Sequence, residues 1–112
     1  MPPTLADCRL ATVMACHDRR EKTLRALRAL QDSIEESGVA HYSVLVDDGS
    51  SDGTSEAVRA EFPDLDVLRG DGSLYWNRGM RIGIDQALKR APEYVLLLND
   101  DTYLDRNAVR RL

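Results

Sequence analysis

Polar and acidic side chains in this chain gather in small clusters, and most clusters directly follow a short apolar run. The clusters contain His17 and Asp18, then Asp47 and Asp48, then Asp71, and finally Asn99, Asp100 and Asp101. Carboxylate oxygens are the ligands that Mg²⁺ and Mn²⁺ prefer, commonly together with phosphates of a bound substrate. If the apolar runs are parallel strands, the clusters meet at the sheet edge where ligands bind. The pattern therefore predicts a polar ligand site there, although each cluster alone is also typical of a turn.

Asp100 and Asp101 directly follow LLLN, the end of the most apolar run in the chain. A buried strand would hold these two carboxylates side by side, where they repel each other unless a positive charge intervenes. We therefore predict that Asp101 ligates Mg²⁺ or Mn²⁺, while Asp100 contacts the water shell of the ion or a ribose. The alternative is an Asx-type turn that caps the next segment. Asp105 already provides that cap, which favours the metal.

Asp47 and Asp48 begin the sequence DDGSSDGT. A carboxylate at this place can accept the N3–H of uracil or thymine, a donor that cytosine lacks. Residues 47–54 are also rich in turn formers, so a turn followed by a capped helix explains the pattern equally well. The local sequence leaves both interpretations open.

The loop from Gly70 to Tyr75 and the helix after it are predicted to border the same site. GDGSLY is not a dinucleotide-binding fingerprint, because Tyr75 replaces the third glycine and the loop follows the third strand rather than the first. We expect this loop to form a wall of the site. Arg78 and Arg81 open the next helix and can reach a phosphate, although at least one of them is expected on the solvated surface.

Strands and helices alternate along the chain. Apolar runs predict four strands, at Leu10–Cys16, Ser43–Val46, Leu65–Leu68 and Tyr94–Leu98. Helical spacing predicts helices that bury Leu24, Leu27, Leu30 and Ile34, then Val58 and Phe62, and then Trp76, Met80, Ile84 and Leu88. The first helix is expected to end near Gly38 and the second to begin after Asp52 as its cap. Asp105 should cap a last helix, with Leu104 and Val109 as a hydrophobic staple.

This order predicts an α/β fold, in which a mostly parallel, Rossmann-like sheet carries helices on both faces and right-handed crossovers join the strands. The length of 112 residues fits a single domain, residues 1–112. The net charge of −4 argues against nucleic acid as a partner, because a nucleic-acid surface needs a basic excess. It does not argue against a phosphate ligand that a divalent cation accompanies.

The expected location is the cytoplasm. Cys8 and Cys16 form neither a metal-type pair nor a disulfide framework, no run approaches the ~20 apolar residues of a membrane span, and the N terminus lacks the pattern of a secretion signal. Basic residues crowd the start of the first helix, namely Arg19, Arg20, Lys22, Arg25 and Arg28. A solvated helix face explains them, and attraction to an anionic acceptor or to the cytoplasmic face of a membrane is the alternative.

Four segments, in this order, resemble a known family: ATVMACHDRREKTLRAL, VLVDDGSSDGT, LYWNRGMRIGIDQAL and YVLLLNDDT. They are similar to the nucleotide-sugar-binding half of family 2 glycosyltransferases, which adopt the GT-A fold. The resemblance runs from about Leu10 to Leu112. WNRGMRIGI is particularly similar to members that transfer rhamnose or related sugars in cell-surface polysaccharide synthesis.

By position, the resemblance implies that Asp48, with Asp47 beside it, contacts the base or ribose of a UDP- or dTDP-activated sugar. It also implies that Asp101 and Asp100 form a D-x-D-type site for Mg²⁺ or Mn²⁺.

The resemblance further implies that Ala15 and His17 line the nucleotide, although Ala15 offers no hydroxyl where the family often has Thr or Ser. The family is inverting and needs a general base that deprotonates the acceptor hydroxyl. In the family that base and most of the acceptor site follow the metal motif. We therefore expect both beyond Leu112, with donor binding but no transfer by this part alone. The complete enzyme would transfer the sugar to a polysaccharide, lipid or protein acceptor.

Three other classes of protein are alternatives. A non-catalytic nucleotide-binding or assembly module fits the same residues, and self-association of such a part is left open. A receiver-like signalling domain fits less well, because receivers carry the acid pair after the first strand and the phospho-acceptor after the third. A sugar-nucleotide pyrophosphorylase would need a glycine-rich basic loop after the first strand, where ACHDRR has no glycine.

Overall fold

The computed structural model describes residues 8–112, and the prediction about a secretion signal falls on residues 1–7, outside the described part. The strands are β1 (Leu10–Cys16), β2 (His41–Asp48), β3 (Asp66–Gly70) and β4 (Tyr94–Asn99). The helices are α1 (Arg20–Ser37), α2 (Thr54–Glu61) and α3 (Tyr75–Leu88). Within residues 8–112, no helix has the length and apolar character needed to cross a membrane.

The four strands form one parallel sheet in the order β3-β2-β1-β4, which confirms the predicted fold class. β1 has the predicted bounds, and all its residues are buried. β2 extends two residues beyond Ser43–Val46 at each end, β3 begins one residue later and ends two residues later than Leu65–Leu68, and β4 gains Asn99. The longer strands bring Asp47 and Asp48 into the sheet itself, where they pair with Arg69 and Gly70 of β3.

Alternate residues of β1 face two separate apolar layers, as expected for a strand covered on both sides. Leu10 and Met14 pack in one layer with the apolar residues of α1 and with Val58 of α2. Val13 and Ala15 pack in the other layer with α3. The prediction of helices on both faces is therefore confirmed.

The buried face of α3 differs from the predicted stripe. Trp76 and Leu88 are about half exposed, at 51% and 55%, so the prediction that both are buried is wrong. The residues of α3 that are buried are Gly79, Met80, Gly83 and Ala87. A Cβ atom on Gly83 would lie 2.3 Å from Val13 Cγ1, which shows that the helix backbone lies directly on the sheet. This close approach turns the larger side chains at both ends of α3 outward.

One predicted helix boundary, the end of α1, agrees with the structure, whereas the cap of α2 lies one residue later than predicted. Gly38 adopts a left-handed conformation with φ 70° and ends α1, as predicted. Asp52 lies one residue before the cap position, where Gly53 stands, but its carboxylate still accepts the first amide of α2, Thr54 N–H, at 3.1 Å. It also accepts the N–H of Arg20, the first residue of α1, at 3.0 Å. Asp52 thus joins the starts of both helices.

The predicted last helix is absent from the described residues, since residues 106–111 form consecutive turns. Asp105 accepts the N–H of Ala108 through its backbone carbonyl at 3.0 Å rather than capping a helix with its side chain. The amide of Val109 donates to Ser33 Oγ of α1 at 2.9 Å, and an α-helix would need that amide for Asp105. Leu104 and Val109 still pack against the α1 layer, as the staple predicted.

The sheet order creates a crevice at the carboxyl ends of β1 and β4. The chain moves from β1 to β2 and β3 on one side and then returns to place β4 on the other side of β1. The loops after β1 and β4 therefore diverge, and ligands of open α/β sheets bind at such a reversal.

Candidate functional site

A cavity of about 530 Å³ lies at this reversal, in the size range of small-molecule sites. Its lining residues are Ala15, Cys16, His17, Arg19, Asp48, Gly72, Tyr75, Trp76 and Asp100. Four side chains that the sequence predicted as site residues meet here: Ala15, His17, Asp48 and Asp100. Asp47, Arg78 and Asp101 lie outside this lining.

Asp48 is buried and holds one wall of the cavity. Its Oδ1 accepts the N–H of Gly72 at 2.8 Å, and its Oδ2 accepts the amides of Leu74 and Tyr75 at 3.0 Å each. The loop lies so close that a Cβ atom on Gly49 would come within 2.6 Å of Gly72 N. The carboxylate therefore fixes the wall that the sequence placed at residues 70–75.

Asp47 is fully buried and faces away from solvent. Its carboxylate accepts the Ser55 hydroxyl of α2 and, at 3.2 Å, the N–H of Ser50. Arg69 Nη1 lies 3.5 Å from Asp47 Oδ2. These contacts join β2 to α2 and β3, and they give Asp47 a structural position behind the wall. The predicted contact of Asp47 with a base stays a prediction that its burial does not favour.

The loops after β1 and β2 are bonded to each other. His17 Nδ1 lies 2.5 Å from the carbonyl oxygen of Asp48, and His17 Nε2 lies 3.3 Å from Asp18 Oδ2. The Asp48 carbonyl, followed by the charges of the neighbouring aspartates, raises the pKa of His17. Asp18 N–H donates to Ser50 Oγ at 2.8 Å, and Ser51 N–H donates to Asp18 Oδ1 at 2.7 Å. These bonds hold the two loops as one rigid unit.

The acidic pair after β4 has a different environment. Asp100 is largely buried, with 11% of its side chain exposed, whereas the side chain of Asp101 is 50% exposed. Arg19 Nη1 lies 3.1 Å from Asp100 Oδ1 and 3.7 Å from Asp101 Oδ2. The sequence predicts a positive charge between these carboxylates, and in the structure Arg19 provides it. Arg19 was missed as a site residue, although its position directly after the first strand-end loop is a signal for it.

Two aromatic residues lie at the rim: Tyr75 belongs to the predicted wall loop, whereas Trp76 was missed because it was assigned to the core. Tyr75 and Trp76 are exposed at 77% and 51%, and both line the cavity. Trp76 Nε1 donates to Asn99 Oδ1 at 3.1 Å, which connects α3 to the end of β4. The signal that could have identified Trp76 is its position directly after the wall loop, in the first turn of α3.

The chemistry of three further residues suggests a larger contribution to the site than the structure gives them: Arg78, Asp71 and Cys16. Arg78 is exposed on the first turn of α3. The hydrogen bonds from Ser73, and to a lesser extent the charge of Arg78, lower the pKa of Asp71. Cys16 lines the cavity, but burial, and then the charge of Asp47, raise the pKa of its thiol to about 12. The thiol therefore stays protonated at neutral pH and is a poor nucleophile.

A sequence profile of glycosyl transferase family 2 matches residues 12–112, almost the whole chain. No curated protein sequence matches the chain at a significant level.

The fold is shared with several solved structures. TarS 1-349 of S. aureus in complex with UDP superposes with a TM-score of 0.78 and 18% identity, over 92% of this chain and 30% of that chain. The complex of TarS 1-349 with UDP-GlcNAc superposes with a TM-score of 0.75 and 19% identity, over 92% of this chain and 29% of that chain. The mannosyltransferase PcManGT of Pyrobaculum calidifontis, in complex with GDP-Man and Mn²⁺, superposes with a TM-score of 0.65 and 22% identity. The match covers 97% of this chain and 34% of that chain. At these identities the likeness establishes the fold, and this chain spans about a third of those proteins.

Proposed function

Since the chain belongs to glycosyl transferase family 2, we propose that its 112 residues form one nucleotide-sugar-binding domain of a glycosyltransferase. The observation that carries this proposal is the cavity at the carboxyl ends of the strands, where the wall held by Asp48 faces Asp100. The structural relatives that hold UDP, UDP-GlcNAc or GDP-Man support it.

The donor in this proposal is a UDP- or dTDP-activated sugar. A carboxylate offers about four lone-pair sites, and three backbone amides occupy three of those of Asp48. One acceptor site is left for the N3–H that uracil and thymine share. Ala15 and His17, which line the same cavity, would border the nucleotide. Arg78 is retained as a phosphate-binding residue because of its charge and its exposure at the start of α3.

The acidic pair fits a divalent cation. Among residues 8–112, no group of three or more His, Cys, Asp or Glu side chains could hold a metal. Mg²⁺ and Mn²⁺ do not need such a group, because one or two carboxylates together with substrate phosphates commonly suffice. Asp101, half exposed, and Asp100, at the cavity, would hold the ion, and Asp100 would also contact the ribose. The bound cation would supply positive charge that stabilises the departing diphosphate.

The transfer step itself is proposed for the larger enzyme. We propose an inverting reaction, in which a general base and an acceptor site for a polysaccharide, lipid or protein come from outside these residues. The residues of this domain bind and orient the donor, and their wall excludes water from one side of it. A cytoplasmic setting is consistent with the free thiols of Cys8 and Cys16, which are both buried. Transfer of rhamnose or a related sugar stays a prediction from the sequence.

Calorimetric titration with UDP and dTDP, with and without Mn²⁺, tests this function. We expect Mn²⁺ to strengthen nucleotide binding about tenfold, or about 1.4 kcal/mol, and Asp101→Ala to remove that gain. Asp32→Ala, an exposed acid on α1, is the matched control and should keep the gain. Nucleotide binding that is absent, or that is indifferent to both the metal and Asp101→Ala, would exclude the proposed function.

A further inference from the structure

Arg19 is the one basic residue in the described part of the chain that lies within 4 Å of both proposed metal ligands. It lies directly before α1 and also lines the cavity. Its Nη1 atom is 3.1 Å from Asp100 Oδ1 and 3.7 Å from Asp101 Oδ2, and its side chain is 45% exposed. The guanidinium therefore provides, in the ligand-free protein, the positive charge that two adjacent carboxylates require.

A divalent cation and this guanidinium would use the same carboxylate oxygens. Two positive groups cannot both face the carboxylates of Asp100 and Asp101 at contact distance without strong repulsion. A cation that binds Asp100 Oδ1 and Asp101 Oδ2 would therefore displace Arg19. The exposed half of its side chain leaves the guanidinium free to move on the solvent side of the cavity.

We propose that Arg19 is exchanged when the donor binds: its guanidinium leaves Asp100 and Asp101 to the incoming cation and moves onto the diphosphate. The proposal rests on the proposed function. Within residues 8–112, the guanidinium donates one hydrogen bond to the acidic pair, from Nη1 to Asp100 Oδ1 at 3.1 Å, so its Nη2 and Nε donors can turn to phosphate oxygens. Arginine binds phosphate with such paired donors. The start of α1 adds the partial positive charge of a helix N-terminus.

The exchange makes binding of the cation depend on binding of the nucleotide, and the reverse. A cation alone must displace Arg19 and then remain beside an unpaired positive charge. A nucleotide diphosphate gives that charge a new partner, so it removes the obstacle to the cation. Arg19 thereby acts as a positioning residue that opposes metal binding in the absence of donor.

Arg20 provides a matched control because it carries the same charge at the next position. Its Nη1 donates to the carbonyl oxygen of Asp52 at 3.2 Å, and its Nε lies 3.2 Å from Glu21 Oε1. Its side chain is 48% exposed, close to the value for Arg19. Arg19→Gln and Arg20→Gln change the net charge equally, and only the first removes the cation that faces the acidic pair.

The test measures Mn²⁺ alone by electron paramagnetic resonance, and UDP in the presence of Mn²⁺ by calorimetry. We expect Arg19→Gln to bind Mn²⁺ alone about fivefold more tightly, the upper end of what an exposed ion pair contributes. The same variant should bind UDP with Mn²⁺ more weakly. Arg20→Gln should change either affinity less than about twofold. A purely structural role of Arg19 would weaken both affinities and would not produce a gain.

If Arg19→Gln leaves the affinity for Mn²⁺ alone unchanged or lowers it, the exchange is overturned. The proposed function stands in that case, provided that wild type gains UDP affinity from Mn²⁺ and Asp101→Ala loses this gain. If Arg19→Gln gains affinity for Mn²⁺, the double variant with Asp101→Ala must lose that gain. A gain that persists in the double variant also overturns the exchange, because the ion then binds elsewhere.

Discussion

The ends of β2 and β4 both carry two adjacent aspartates, yet the protein holds the two pairs in opposite ways. Asp47 and Asp48 are buried, and four backbone amides, one hydroxyl and one arginine use their oxygens. Asp101 is half exposed, and it shares the single guanidinium of Arg19 with Asp100. A carboxylate that binds backbone is fixed in position, whereas one that binds a movable side chain can exchange its partner. The first end therefore fixes the cavity wall, and the second is the end for which we propose an exchange of partners on ligand binding.

The largest expected effect tests the fixed end. Asp48→Ala leaves the amides of Gly72, Leu74 and Tyr75 without their acceptor, and each of these bonds involves a charged partner. We expect the free energy of unfolding to fall by about 3 kcal/mol, measured by urea denaturation. Asp48→Asn keeps one oxygen acceptor and should cost less. A loss below about 1 kcal/mol for Asp48→Ala would mean that the wall does not depend on this carboxylate.

The packing of the wall against the end of β2 can be tested separately. Gly49 has φ 68°, and a Cβ atom there would lie 2.6 Å from Gly72 N. Gly49→Ala combines backbone strain with this clash, so we expect a loss of about 2 kcal/mol in the free energy of unfolding. Gly38→Ala is the control, because Gly38 has φ 70° but no atom within 4 Å of the added Cβ. It should cost about 1 kcal/mol, and equal losses for both variants would show that the wall yields to the methyl group.

At the end of β4 the same kind of substitution should hardly affect stability. Asp101→Ala removes a half-exposed carboxylate whose ion pair with Arg19 spans 3.7 Å. We expect the free energy of unfolding without ligand to change by less than about 0.5 kcal/mol, in the same urea experiment as for Asp48→Ala. A loss comparable to that of Asp48→Ala would remove the distinction between a fixed and an adjustable end.

The sequence predicted the sheet well because continuous apolar runs leave few alternatives for a buried strand. It did not predict that Asp48 is held by backbone amides, since these come from residues 72–75, more than 20 positions away. Trp76 was misplaced because the close approach of the α3 glycines to the sheet, beside Met80, sets the buried face of the helix. The last helix was wrong because Ser33 takes the amide of Val109. In each case a long-range contact overrode a local pattern.

The smallest expected effect concerns the bond between the loops after β1 and β2. The Asp48 carbonyl and the nearby aspartates raise the pKa of His17 above its ordinary value of 6.5. The folded protein therefore binds this proton more tightly than the unfolded chain does. The resulting stabilisation is fully present below about pH 6.5 and is lost as pH rises through the folded pKa. It is small because about half of the His17 side chain is exposed.

Urea denaturation of wild type and His17→Gln between pH 5.5 and 8.5 measures this difference. Wild type should have a larger free energy of unfolding than His17→Gln, and this difference should be larger at about pH 5.5 than at about pH 8.5. His41→Gln, at the opposite end of β2, corrects for the general effect of replacing a histidine. If the difference between wild type and His17→Gln is independent of pH, protonated His17 does not hold the two loops together. The rigidity of the β2 end would then depend on Asp18 and Ser50, whose bond involves no histidine.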